Sequence, residues 1–440
     1  MLFGDANLVT RQYIFAFAAL FLFFFSNLVD RLVFCGASFS FYLLVCIGAT
    51  YYIIRESTVR WRIAVLIPII YFSIFQILKG EEVWSAIAAV KDLCVPIMAV
   101  LLGYSVFSRH SVLNMLNWLF LPFVVYGLIQ VVSFELDSMR EVLPWDIAQM
   151  DLMTASGVKS LYQSSQLRFF GTLNSFFHYQ LIVAIMPLFL WLNRAQLKHR
   201  WLLVCNSLLA IVLVVMFRER TPLIVLGVFS IMFLAFGNRQ LRMVGFSGSV
   251  GVCVVAFGLA FANFGGALNQ SGPDKGGSLN ESDPELRMQN VIYLNLDRDT
   301  STVERLAIWK EALKELTAEN IVFGKSPSML LPGYEARSPE SHISPHNFFL
   351  FILLAYGLVG AGLFFGFLFL VYYDLLGNTA HLEWRLFMGA LLLAFILLSI
   401  YHVPFIGKLG FMFFLFLGVA LANANFPIGL KALRMQTSSK

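Results

Sequence analysis

Charge is what this chain has least of: Asp, Glu, Lys and Arg make up 13% of its 440 residues, about half the share usual in a soluble domain. So few charges exclude an ordinary water-facing surface, and a net charge of only +5 gives no basis for nucleic-acid binding. Cysteine is scarce as well. The five present, Cys35, Cys46, Cys94, Cys205 and Cys253, lie in or beside apolar runs, which weighs against a disulfide framework and reads as buried free thiols. A P-loop, a dinucleotide fingerprint and a nucleophile elbow are all missing. A cytoplasmic nucleotide is therefore not the energy source, and any substrate must carry its own activated bond.

Metal signatures are equally thin. His342 and His346 are four apart, but Pro345 interrupts a continuous helix through them and the glutamate of a zinc helix is lacking. Asp297 and Asp299 sit in a polar loop and read as solvated charges. No metal and no cofactor is expected. The two halves show no repeat, no matched pair of interrupted helices and no low-complexity tract, which weighs against a transporter built on internal symmetry.

What is abundant is hydrocarbon: 59% of residues are hydrophobic. A membrane helix needs about 20 predominantly apolar residues. Twelve segments qualify, near 12–29, 32–54, 61–78, 92–107, 111–133, 172–193, 200–217, 222–237, 243–263, 346–373, 384–401 and 408–426. The first is too long and too poorly flanked for a cleaved signal peptide. The expectation is an all-α integral membrane protein of about 12 transmembrane helices.

Orientation follows from the basic residues of the short loops, because Lys and Arg are retained in the cytoplasm. With both termini inside, the inner loops hold 14 of the 31 Lys and Arg and the short outer loops six, Arg31, Lys79, Lys91, Arg218, Arg220 and Lys408. Two long loops, 134–171 and 264–345, then lie outside. The chain divides into helices 1–5 (1–133), an outer loop (134–171), helices 6–9 (172–263), a large outer loop (264–345), and helices 10–12 with a cytoplasmic tail (346–440). Polar chemistry gathers at the outer face.

The large loop opens with Gly, Pro, Asn and Asp and reads as irregular. A helix is expected over 302–319. Ser301 and Glu304 have capping-box spacing, and Val303, Leu306, Trp309, Leu313 and Leu316 form one apolar stripe. Arg305 and Trp309 are neighbours on its surface. In the smaller loop, "MREVLPWDIAQMDL" reads as a short helix lying on the membrane surface.

Two stretches carry candidate chemistry. In "SPHNFFLF", Ser344 suits an N-cap and Pro345 the first helical position, leaving His346 and Asn347 in the first turn. The positive end of the helix disfavours an imidazolium, so a neutral His346 could act as a general base; capping alone would also explain the pair. In "FRERTP", Arg218, Glu219 and Arg220 crowd one turn between apolar helices. Such charges are costly there unless they pair or bind something, and arginine matches phosphate oxygens. A headgroup anchor is the simpler alternative, and Arg168 in "LRFFGTLN" has the same two readings.

These motifs, in this order, resemble the bacterial O-antigen ligase and polymerase family. The resemblance runs from about residue 168 onward. It rests on Arg168, Gly171, Thr172 and Asn174; on Arg220 in "RERTPL", where Glu219 and Thr221 replace the family's serine and glycine; on Arg305, Trp309 and Gly324; and on His346 and Asn347 followed by Leu350, Leu354, Gly357 and Gly360. It implies a GT-C-like membrane glycosyltransferase of the bacterial inner membrane with its active site facing the periplasm, metal-independent and inverting. The implied donor is a glycan linked to undecaprenyl diphosphate, and the acceptor a lipid-linked repeat unit (polymerase, favoured) or the lipid A core (ligase). His346, Arg305 and Arg220 would be catalytic, with Arg168, Arg218, Asn347 and Trp309 binding substrate. Membrane lipid and a chain-length regulator complete the expected partners. A glycolipid flippase or polysaccharide transporter is the alternative of another class.

Overall fold

A computed structural model of the chain describes residues 2–29, 37–55, 57–75, 90–135, 176–217, 220–246, 249, 308–310, 312–314, 316–324, 347–378, 381–400 and 402–424. These residues are 90% helical, with no strand among them, compatible with an all-α membrane protein. The helices are α1 (Leu2–Val29), α2 (Ala37–Arg55), α3 (Val59–Ile70), α4 (Val95–Leu102), α5 (His110–Glu135), α6 (Phe176–Leu192), α7 (Arg200–Phe217), α8 (Arg220–Phe236), α9 (Ala318–Phe323), α10 (Phe348–Asn378), α11 (Leu382–Leu398) and α12 (Gly407–Asn423). The expected segment near 243–263 falls outside the described residues beyond 249, as do the smaller outer loop and the surface helix expected within it. Among the described residues, two stretches are by length and composition apolar and long enough to cross a membrane, His110–Ile129 and Phe348–Gly377, the second broken at Gly357.

The interior is apolar, as in a soluble bundle, but the outward faces of several helices are apolar too. On α7, Trp201, Val204, Leu208, Ile211 and Val215 recur every three or four residues and all face outward. The buried face of the same helix carries Asn206, whose Nδ2 donates to the Asn117 carbonyl (2.8 Å) and to Asn117 Oδ1 (2.9 Å) on α5. Exposed apolar stripes also run along α2 (Leu43, Ile47, Tyr51, Ile54) and α3 (Val59, Ile63, Leu66, Ile67, Ile70). In water such surface would be a liability. Against lipid it is solvated, and an amide pair inside supplies an interhelical hydrogen bond.

The centre is α12, buried from Gly407 to Leu421. α4 lies against it, wholly buried. Their backbones touch because two glycines interlock: a Cβ on Gly103 would strike the Leu415 carbonyl, and one on Gly418 the Val100 carbonyl. The segment expected over 92–107 is indeed helical but not uniform, since π-helical stretches Val90–Cys94 and Gly103–Phe107 flank α4. Likewise, α3 passes into a π-helical stretch, Tyr71–Phe75.

Polar groups cluster at the two ends. At one end Arg60 pairs with Asp374 (3.0 Å), and Arg194 reaches Glu383 (3.6 Å) and Gln240 (3.0 Å). Nearby, Asn114 Oδ1 accepts from the Lys198 N–H (2.7 Å) and Gln196 meets Asn423 (3.2 Å). The opposite end holds the start of α10, the end of α11 and the start of α12. Replacing Gly103 by Val is expected to overpack the α4–α12 contact by ~1–3 kcal/mol, read as a lowered thermal midpoint of the detergent-purified protein, whereas Gly362→Val, at an open position, should leave it nearly unchanged.

Candidate functional site

The segment expected as one span over 346–373 is two helical arms. Gly357 interrupts α10 with φ 67° and ψ −170°, a conformation essentially reserved for glycine. The first arm turns back there. Phe348 lies against Phe364 (ring centroids 5.1 Å) and Phe349 stacks on Phe365 (6.0 Å). Each pair is 16 residues apart, which in a straight helix would separate them by about 24 Å. Tyr71 from the end of α3 closes the break by donating its hydroxyl to the Tyr356 carbonyl at 2.7 Å.

A second glycine meets the first. Gly324, at φ 75° and ψ 172°, ends α9, and the two glycines are in reciprocal contact. A Cβ on Gly357 would strike Val322 and Gly324, and one on Gly324 would strike Ala355 and Tyr356. Two motif glycines 33 residues apart thus hold this part of the large loop against the turn of α10.

Asn347 begins the first arm, and its role corrects the expected cap. Its Oδ1 accepts from the Leu350 N–H (3.1 Å) and its carbonyl from Phe351 (2.8 Å), so the N-cap is Asn347 rather than Ser344. Asn347 is buried. The next N–H, of Phe348, donates to the carbonyls of both Ser399 (2.8 Å) and His402 (3.1 Å), tying the arm to the end of α11. The Phe348 ring is fully buried among Phe351, Phe364, Phe365 and Phe405. Sequence reasoning put His346 inside the first helical turn; it directly precedes the cap instead, and its own placement is outside the described residues.

The other expected site residues divide in the same way. Arg220 is the first residue of α8. Trp309 is half-buried in helical residues 308–310. Arg168, Arg218, and Arg305 lie outside the described residues. The helix expected over 302–319 is described over 308–310 and 312–314; Leu316 and Thr317 leave it, because Thr317 caps a new helix, its Oγ1 accepting from the Asn320 N–H (3.2 Å). The apolar stripe also differs, with Ala312 buried and Leu313 half exposed to the outside.

A second polar group stands at this end, assembled from α2, α6, α12 and the π-helical stretch before α4. Lys91 approaches Asp92 at 3.7 Å. Asp92 Oδ1, the Tyr42 hydroxyl and the His178 ring come within 3.7, 3.7 and 3.9 Å of where a Cβ on Gly407 would stand. Asp92 and Lys408 are both buried. The group adjoins the α10 arm, since His402 stacks on Phe177 with ring centroids 4.0 Å apart, and its carbonyl holds Phe348. In the sequence, Lys91 and Lys408 bear only on the count of loop charge. The available signal was a Lys-Asp pair opening one apolar segment and a lysine opening another.

Capping separates two roles for Asn347. Asn347→Asp keeps an acceptor for the Leu350 N–H and is expected to retain the thermal midpoint, whereas Asn347→Ala should lose ~1 kcal/mol of stability. Gly357→Ala is expected to cost ~1–3 kcal/mol by strain at the turn, visible in the same unfolding measurement.

Residues 205–365 match the family model described as O-antigen ligase, while a search of curated proteins finds no match. The matched stretch begins in α7 and ends in the second arm of α10, so it takes in Arg218, Arg220, Arg305, Trp309, Gly324, His346, Asn347 and Gly357. The match, together with the apolar outward faces of the helices, suggests a membrane protein and supports an O-antigen ligase/polymerase family assignment for the chain.

Proposed function

We propose that the protein transfers glycans from undecaprenyl diphosphate to a sugar acceptor on the periplasmic face of the bacterial inner membrane, polymerising repeat units of O-antigen or another surface polysaccharide. The observation that carries this reading is the matched stretch, 205–365, which contains both arginine motifs and the whole of the first α10 arm, which Asn347 caps. The buried Phe348 tie supports it further, because a general base must be held within hydrogen-bond reach of the proton it removes, and His346 is two residues from that anchor.

In this mechanism His346 takes the proton from an acceptor hydroxyl as that oxygen attacks the anomeric carbon of the donor. The bond to the diphosphate breaks, configuration inverts, and the leaving group gains negative charge. Arg220 and Arg305 neutralise that charge in place of a metal. Arg168 and Arg218 are further contacts for the diphosphate or for acidic sugars. Asn347 orients the neighbouring histidine through the capped backbone, and Trp309 offers a ring face to a sugar. About 12 membrane helices with both termini cytoplasmic accompany this reading. Its support is that residues at positions this topology puts inside pair with one another, Arg60 with Asp374 and Arg194 with Glu383 and Gln240, with no ion pair or hydrogen bond described between any of them and Asn347, Lys91 or Lys408, which it puts outside.

The ligase reading, with the lipid A core as acceptor, is favoured by the description of the matching family model. Purified protein given a lipid-linked repeat unit separates the two: chains of many repeats mean polymerisation, transfer to added core acceptor alone means ligation, and no transfer in either assay contradicts both. His346→Ala, Arg220→Ala and Arg305→Ala are each expected to lower the transfer rate by ~10²-fold or more, with donor binding preserved in His346→Ala. Normal polymer at normal rate from the His346 variant would remove the base assignment.

A further inference from the structure

After α8 the chain turns at Gly237 and Asn238 and runs back along that helix as the helical residues 239–246. Asn238 caps the new helix, its Oδ1 accepting from the Leu241 N–H at 3.0 Å and its carbonyl from the Arg242 N–H at 2.8 Å. Gly245 lets the two helices touch, since a Cβ there would strike the Ser230 carbonyl and the Leu234 nitrogen. Beside this contact opens a groove of about 570 Å³, lined by Leu234 of α8 and by Arg239, Arg242, Met243 and Phe246. The last four stand at i, i+3, i+4 and i+7, which is one face of a helix, and all four are exposed.

Along that face chemistry changes with depth. Both arginines stand in the first turn, next to the loop. Phe246 follows seven residues later, about 10 Å along the axis, where its neighbour Gly245 already lies against Ser230 within α8.

The two arginines are uncompensated. The first turn of a helix disfavours cations, and like charges one turn apart repel. Glu383, the carboxylate that reaches this turn, is engaged by Arg194 (3.6 Å) and Asn238 (3.5 Å), and Gln240 accepts from Arg194 (3.0 Å). Among the described residues neither Arg239 nor Arg242 has an ion-pair or side-chain hydrogen-bond partner. Basic residues that only hold a loop in the cytoplasm need no groove beside them and no apolar residues below them. Paired guanidiniums match phosphate oxygens, and basic pockets between membrane helices suit anionic headgroups.

We propose that this groove binds an anionic phospholipid of the surrounding membrane, its phosphodiester on Arg239 and Arg242 and an acyl chain over Leu234, Met243 and Phe246. The lipid runs from charge to hydrocarbon in the same order as the helix face. A free phosphate would use the arginines but leave the apolar part of the groove uncovered. The site is separate from the residues assigned to glycosyl transfer and does not depend on that reading.

The test is native mass spectrometry of the full chain in a nonionic detergent, titrated with dioleoyl phosphatidylglycerol or dioleoyl phosphatidylcholine. Phosphatidylglycerol is expected to bind ~10-fold or more tightly than phosphatidylcholine, and Arg239→Gln with Arg242→Gln to abolish that preference. Arg200→Gln, which removes another exposed arginine at the start of α7, should keep it. Should the double variant fail to fold, Arg242→Gln alone must weaken phosphatidylglycerol binding ~5-fold. Equal binding of the two lipids by the wild type, an unchanged preference in the arginine variants, or the same loss in Arg200→Gln would each overturn the site. Soluble glycerol 3-phosphate should displace phosphatidylglycerol only at far higher concentration; displacement at equal concentration would mean an anion site without a lipid and overturn the proposal too.

Discussion

The turn at Gly357 is the constraint on which the site end depends. With φ 67° and ψ −170° the backbone reverses at one residue, and the nine residues before it lie back along those that follow. That reversal brings Phe348 to the carbonyls of Ser399 and His402 and into a ring cluster with Phe364 and Phe405. The same turn accepts Gly324 from the end of the large loop. Three successive parts of the chain, the loop helix α9, the α10 arm and the α11–α12 corner, are therefore joined through one backbone conformation that a Cβ would prevent.

Energetically the fold relies on dispersion and polar pairing rather than on water's exclusion of hydrocarbon. In lipid the outward stripes of α2, α3 and α7 gain nothing by burial, so helices associate through close contact and internal hydrogen bonds. The Gly103–Gly418 interlock and the Asn117–Asn206 pair are instances of each. Aromatic rings fill the remaining volume, as in the stacked Phe189 and Phe416 at 3.9 Å between α6 and α12. Such a core is rigid, which is what a site needs if it must hold charged groups at a membrane interface.

Much of this was legible in the sequence. Long apolar runs announce helices directly, so their positions agree with most described elements to within a few residues. The His-Asn motif and the glycines after it were visible too, but as a straight span with packing glycines. The fold-back at Gly357 was not legible, because glycine is common in membrane helices and nothing local tells a small-residue contact from a reversal. The N-cap moved from Ser344 to Asn347 for a related reason: several residues in a row could cap, and only the tertiary tie at Phe348 selects one. The helix over 302–319 was misjudged at its end, since Thr317 satisfies a local capping pattern that the apolar periodicity ran through. The cluster around Gly407 escaped because its members come from four separate elements, each with only one or two polar residues.

The most direct test of the fold-back is proximity across it. With the five native cysteines replaced, a protein carrying Phe349→Cys and Phe365→Cys would be treated in membranes with a short bifunctional thiol reagent and its remaining free thiols counted. The account predicts efficient bridging within one chain, abolished by unfolding. A straight helix would hold the two positions about 24 Å apart, and an absence of bridging in folded, active protein would contradict the arrangement of the α10 arm on which the site is built.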